Sequence, residues 1–285
     1  MPPAPAGRRR WFLAGIAAAG LAAIWLLGIR PHQLLLEPGR QSVFADFLQT
    51  ALHPASTYEA ASVPPGTPPF LRKVALALLT TIQYAGASVG LALVAGALLG
   101  FLGSRSWWRT DPASESRRAP AHPARVLVRG ISLLLRSVHE LIWAILLFAA
   151  LGSSPLVAVL AIALPYSGTF GKVFAELLEE APNRAAEYLS GTGASPVAAF
   201  FIGILPRALP DLLAYTLYRF ECGIRSATVL GFAGIPTVGY YLKLSFDSLH
   251  YREVWAYLYA LLLLVLLFDR WSAAIRKHLR VRSVL

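Results

Sequence analysis

The chain has 285 residues, 56% of them hydrophobic and only 14% charged, with a mean hydropathy of +0.56. Soluble globular chains carry about 25% charged residues, so this one has too few to cover a water-facing surface, while a disordered chain needs the opposite balance; both classes are excluded. The net charge of +11, from 26 Lys+Arg against 15 Asp+Glu, is carried between apolar stretches, where basic residues read as topology signals rather than as a nucleic-acid surface.

A membrane-crossing helix needs about 20 mostly apolar residues. Residues 12–29 form an uncharged run rich in Ala, Leu and Ile, preceded by a cytoplasmic N-terminus within 1–30. A Pro-rich segment, 31–72, follows outside the membrane and leads into a core of apolar stretches at 73–275. Within that core, 74–104 is uncharged throughout, and 126–151 is apolar except for Arg136, His139 and Glu140. The loop between them, 104–125, with Pro112, Pro120 and Pro123, reads as irregular. Gly152-Ser153-Ser154-Pro155 breaks the next run, and 156–174 reads as the return helix of a tight hairpin. Residues 208–230 are apolar apart from Arg219, Glu221 and Arg225, and 254–268 is a last, short span that borrows flanking residues such as Tyr251. The expected class is therefore an all-α integral membrane protein with six transmembrane helices and a basic tail at 276–285.

Charge bias sets the direction. Arg8, Arg9 and Arg10 place the N-terminus in the cytoplasm, and six crossings return Arg270, Arg276, Lys277, Arg280 and Arg282 to the same side. Arg105, Arg109, Arg117, Arg118 and Arg125 fall in the inner loop; the outer loops hold only Arg30, Arg40, Arg72, Lys73, Lys243 and Arg252. Arg9-Arg10-Trp11-Phe12-Leu13 also resembles a twin-arginine export signal. Cleavage there would leave five spans and put the basic C-terminus outside, against the remaining charge bias. Gly86, Gly90, Gly96 and Gly100 form two pairs spaced for close helix packing, read as packing inside the bundle.

The polar stretch from Glu176 to Gly193 and on to Pro206 is the most informative segment. Pro182-Asn183 suits a helix start and Gly191 and Gly193 suit its stop, giving a short amphipathic helix at about 183–190. It is expected to turn Ala185, Ala186 and Leu189 to a partner and Arg184 and Glu187 to water. Glu187-x5-Gly193, followed by Leu205-Pro206, resembles the EAA loop of ABC-importer permeases. Arg136-Ser-Val-His-Glu140-Leu-Ile-Trp143-Ala144, Thr80-Thr81-Ile82-Gln83 and the stretch from Tyr218 to Phe232 are similar to the phosphonate-uptake permeases of that family. The resemblance covers about residues 70–275.

It implies a type I ABC importer permease fold, with the coupling loop at 176–206 and Arg184, Ala185, Ala186, Glu187, Leu189, Gly193, Leu205 and Pro206 as the ATPase-coupling residues. It further implies two ABC ATPase subunits as partners, a second permease (the same chain or another), an extracytoplasmic solute-binding protein and a bacterial inner-membrane location. Nothing matches the phosphate-cradling G-x-x-x-x-G-K-[ST] loop; the nearest approach, Gly171-Lys172, is followed by Val173. ATP and Mg therefore belong to the partner ATPase, and this chain binds no cofactor, no metal and no nucleic acid. The sequence departs from the family at Tyr188, Leu189 and Gly203 in the loop, at His139, where Pro is usual, and at Gly234-Ile235-Pro236-Thr237-Val238-Gly239, where a Gly-rich run is usual.

A charge near the bilayer centre costs at least ~2.5–3.5 kcal/mol, so such groups face the bundle interior or a watery path. Arg136 and Glu140, and likewise Glu221 and Arg225, stand four apart and can pair on one helix face, which leaves Arg219 over. Arg136, His139, Glu140, Arg219, Glu221 and Arg225 are the candidates for a pathway carrying phosphonate, phosphate or phosphite, or another small solute, since the loop does not choose cargo. The same groups could instead lock helices together, or Arg219 could reach the headgroups of membrane lipids. Asp211 is expected to complement a helix N-terminus, and Cys222, the single cysteine, to fill space. A membrane enzyme acting on lipid phosphate would gather acids and histidines at one interface. Here Glu176, Glu179, Glu180 and Glu187 follow the coupling loop, and His32, His53, His122 and His250 are scattered over loops on both sides.

Overall fold

The computed structural model describes residues 6–28, 38–60, 62–105 and 122–282, all helical or connecting segments. The expectations for Arg30, His32, Arg109, Pro112, Arg117, Arg118 and Pro120 lie outside those residues. Two compact units are present, Met1–His53 and Pro54–Leu285.

The first unit holds α1 (Ala6–Leu26) and α2 (Pro38–Thr50). The apolar part of α1, Arg10–Leu26, has exposed Trp11, Phe12, Leu21 and Trp25. Its 17 residues measure about 26 Å at ~1.5 Å per residue, a little short of the ~30 Å hydrocarbon core.

The second unit begins with residues 54–69, which fold onto the helix pair farther along the chain. Glu253, 5% exposed, accepts from the Glu59 amide at 2.9 Å and from Ser245 Oγ at 2.8 Å, and its own amide donates to Glu59 Oε2 at 3.4 Å. Each glutamate thus caps the other's backbone. Tyr58 donates to the Pro68 carbonyl at 2.8 Å; burial, then the Glu253 charge, raise the phenol above its usual value and keep it a donor.

Next come α3 (Phe70–Gly103), α4 (Pro123–Ser137), α5 (Glu140–Leu151), α6 (Pro155–Glu180), α7 (Arg184–Gly191), α8 (Leu205–Val229), α9 (Val238–Asp247) and α10 (Tyr251–Arg282). A turn of helix at Pro196–Ala198 and a π-helical stretch, Ala199–Ile204, lead into α8 without a break. The pivot is α6, whose apolar window is 61% buried against 6% for α10. It is gripped by α3, α4, α5 and α8. Small residues allow this: a Cβ on Gly96 would strike Phe170, and one on Gly168 would lie 2.6 Å from the Ser132 carbonyl. Of the two predicted glycine pairs, Gly96 and Gly100 are buried against α6, whereas nothing stands near Gly90.

Four described helices are long and apolar enough to cross a membrane, five with α4 and α5 taken as one bent span; α1 is the shorter sixth. Two expectations need correction. Residues 126–151 are not one helix: α4 and α5 meet at 88° across Val138-His139. The break is locally satisfied, because His139 Nδ1 accepts from the Leu141 amide at 3.2 Å and Trp143 Nε1 donates to the Leu135 carbonyl at 3.3 Å. Asp211 does not sit at a helix N-terminus either. Helical backbone already runs from Pro196, so the free amides lie several turns away.

Candidate functional site

Two regions of the second unit hold the residues singled out above. The first is α7, at the end where α6 finishes. Its C-terminus closes as a paired Schellman turn: the Gly193 amide donates to the Ser190 carbonyl at 3.1 Å and the Ala194 amide to the Leu189 carbonyl at 3.0 Å. Gly193 has φ +84°, which a side chain rarely adopts. The body of α7 rests on the π-helical stretch. Gly203 lies so close that a Cβ there would meet the Ala186 Cα and N at 2.8 Å. Arg207 reaches back to the Pro182 carbonyl at 3.4 Å.

This seat leaves Arg184 and Glu187 exposed, as expected, but changes what the apolar face meets. Ala186 is buried and Leu189 half-buried against the chain's own core, so neither is offered to a partner. The outward face is Arg184, Glu187 and Tyr188, the last 77% exposed. Ala185 is intermediate, Leu205 packs on the core and Pro206 is exposed. The departure at Gly203 has a physical reason: the residue lets Ala186 approach. That partnership spans seventeen residues and a turn, and no local pattern in the sequence announces it.

The second region lies where α5, α6 and α8 meet. Glu140, at the start of α5, accepts a 2.7 Å bond from Ser226 Oγ on α8, and Ser226 shares a 3.0 Å bond with the hydroxyl of Tyr166 on α6. Ser226 and Tyr166 are both buried. The Arg219 guanidinium lies 4.5 Å from the Tyr166 ring centre and 5.9 Å from that of Tyr215. Its Nε is buried without a hydrogen-bond partner, and no carboxylate pairs with it among the described residues. Glu221 and Arg225 do form the expected pair, 3.1 Å apart, with Arg225 54% exposed and a second Arg225 contact to Cys222 Sγ at 3.5 Å.

Arg136 and Glu140 do not form the expected pair. The bend puts them on different helices; Glu140 turns to Ser226 and to His139 at 3.6 Å, while Arg136 lines a separate cavity beside α3 and α6. His139, 63% exposed, is a helix cap rather than a packed interior group. Tyr166, Tyr215 and Ser226 were invisible to a search for charges. The available signal was a tyrosine and a serine inside otherwise apolar runs, which hydrogen-bond across helices in a membrane. No group of three or more potential metal ligands occurs among the described residues.

With this geometry in hand, comparison with known proteins is specific. The profile for "Binding-protein-dependent transport system inner membrane component" matches residues 118–281. The chain is 37% identical over 175 residues to the putative phosphite transport system permease protein HtxE of Stutzerimonas stutzeri, covering 60% of this chain and 67% of that one. It is 33% identical over 208 residues to the phosphite transport system permease protein PtxC of the same organism, covering 71% and 70%. Among solved structures, the inward-facing MetNI methionine ABC transporter superposes with a TM-score of 0.62 at 19% identity, covering 75% of this chain and 99% of that chain. At that identity the match speaks for the fold alone.

Proposed function

The chain belongs to the family of binding-protein-dependent transport system inner membrane components, and from that premise we propose that it is the pore-forming permease subunit of an ATP-driven importer for a phosphorus oxyanion of the phosphite, phosphonate or phosphate class. Transport proceeds by alternating access. Two chains, identical or paired with a second permease, enclose the path; two ABC ATPases carry ATP and Mg and drive it; a solute-binding protein delivers cargo from outside. The chain itself holds no cofactor and hydrolyses nothing. Basic residues at both ends of the chain support cytoplasmic termini, with 31–72 outside.

The observation that carries the reading is the seat of α7. A short helix is clamped at Gly203 and stopped at Gly193, and it presents Arg184, Glu187 and Tyr188 outward at the end of the bundle. A rigidly mounted polar surface of this kind can pass a push from an ATPase into α6 and α8. Arg184, Ala185, Ala186, Glu187, Leu189, Gly193, Leu205 and Pro206 divide the work: the exposed residues touch the ATPase and the buried ones hold the helix in place. The cargo chemistry rests on the two phosphite permeases and on Arg219, a planar cation with no carboxylate partner among the described residues, suited to an oxyanion. Glu140, His139, Glu221 and Arg225 shape its surroundings, whereas Arg136, which lines a separate cavity, stands apart from it.

The test is co-purification in mild detergent followed by uptake of phosphite and methylphosphonate in cells dependent on this system. An ABC ATPase should copurify with the chain. Glu187→Lys with Gly193→Asp should abolish uptake and ATPase capture while membrane insertion stays normal. A chain that came down alone, well folded and reproducibly, would end the importer reading. Uptake of neither anion by the assembled system would end the cargo reading only.

A further inference from the structure

Helix α4 has two unlike faces. Arg125, Arg129, Ser132 and Arg136 recur at spacings of four, three and four and turn toward the ends of α3 and α6, while Val126, Leu127, Ile131 and Leu134 on the other side are exposed. Arg125 and Arg129 are consumed there. Both donate to the Gly103 carbonyl, at 3.2 and 3.0 Å, closing the C-terminus of α3, and both pair with Glu179, at 3.4 and 2.7 Å.

One turn farther along, the pattern changes. A cavity of about 220 Å³ opens among Leu99, Arg129, Leu133, Arg136, Lys172 and Glu176. Lys172 is held by Glu176 at 3.5 Å, but Arg136, which is exposed, has no ion-pair or hydrogen-bond partner among the described residues. An arginine on the flank of a membrane bundle requires an anion or water. The lining supplies a further constraint: Leu99 of α3 and Leu133 of α4 stand beside these charges, and Leu133 is an exposed apolar side chain. A free anion would use only the charges. A ligand with a charged head and two hydrocarbon tails uses both features.

We propose that this cavity binds the phosphodiester headgroup of an anionic membrane phospholipid, with Arg136 and Lys172 contacting the phosphate oxygens and the acyl chains leaving past Leu99 and Leu133. The site lies on the half of α6 that leads toward α7, and its lipid would bridge α4 and α6. It is separate from the cargo path and stands whether or not the cargo is a phosphorus oxyanion.

Native mass spectrometry of the full chain in mild detergent tests this, titrated with phosphatidylglycerol, with phosphatidylcholine and with inorganic phosphate. Phosphatidylglycerol should be retained at least about tenfold more tightly than phosphatidylcholine, a difference of the size a charge-assisted contact gives. Inorganic phosphate should not displace it. Arg136→Gln with Lys172→Gln should erase the preference while the chain keeps its gel-filtration position. Equal retention of the two lipids by the wild-type chain would overturn the proposal even if the double variant failed to fold. So would displacement by inorganic phosphate, which would mark a small-anion site, or a folded double variant with the preference intact.

Discussion

The α7 end and the interior polar network are both built around α6 and α8, yet they are held in different ways. At the α7 end the determinants are backbone ones: a left-handed Gly193, a π-helical stretch and the close approach of Gly203 to Ala186. In the interior they are side-chain contacts that join three helices, from Glu140 through Ser226 to Tyr166, with Arg219 stacked above. A backbone fit admits no partial substitute, because the neighbouring atoms cannot rotate away. A side-chain network can lose one member and relax. The difference predicts steep losses at the first region and graded ones at the second.

The largest effect is expected at Gly203. Valine there would collide with Ala186 backbone atoms, an overpacking that costs about 1–3 kcal/mol and falls on the seat of α7. Uptake should drop at least about tenfold while the chain still inserts; wild-type uptake would break the comparison. Arg219→Gln comes next, with uptake reduced about tenfold and detergent-stable assembly unchanged. Arg219→Lys should be intermediate, since lysine keeps the charge and loses the planar stacking on Tyr166. Loss of assembly in step with uptake would make Arg219 a helix lock instead.

Smaller effects separate the links of the network. Tyr166→Phe and Ser226→Ala should each lower thermal stability by about 1 kcal/mol, and the double variant should be non-additive by at least about 0.5 kcal/mol. Strict additivity in melting experiments would show that the three groups do not act as a chain. The smallest effect belongs to Glu221→Gln. Its partner Arg225 is more than half exposed, so about 0.2–1 kcal/mol is expected, detectable by melting and not by uptake.

Much of this was legible in advance for a physical reason. The short helix at 184–191 was readable because its glycine stop is local, although the Asn183 side chain does not cap its start: the Asn183 Oδ1 is buried without a hydrogen-bond partner. The Glu221–Arg225 pair was readable because four residues make one helical turn. The same rule failed for Arg136 and Glu140, since it assumes an unbroken helix and His139 caps a new one. The cover of α7's apolar face was misread, although Arg184 and Glu187 are exposed as expected, because hydrophobic residues on an amphipathic helix say only that a face is covered. Whether the cover is another subunit or the chain's own π-helical stretch depends on Gly203, far along the sequence.

What the sequence determined by itself is the class of molecule: a basic, apolar, helical membrane chain with a polar loop between two spans, because hydropathy, charge bias and helix stops are properties of neighbouring residues. What only the tertiary structure decided is which groups meet. The Ser226–Glu140 bond joins residues 86 positions apart, and the reciprocal caps of Glu59 and Glu253 join residues 194 apart. Contacts at such separations are set by how whole helices pack, and the small residues that permit the packing look in the sequence like any other glycines.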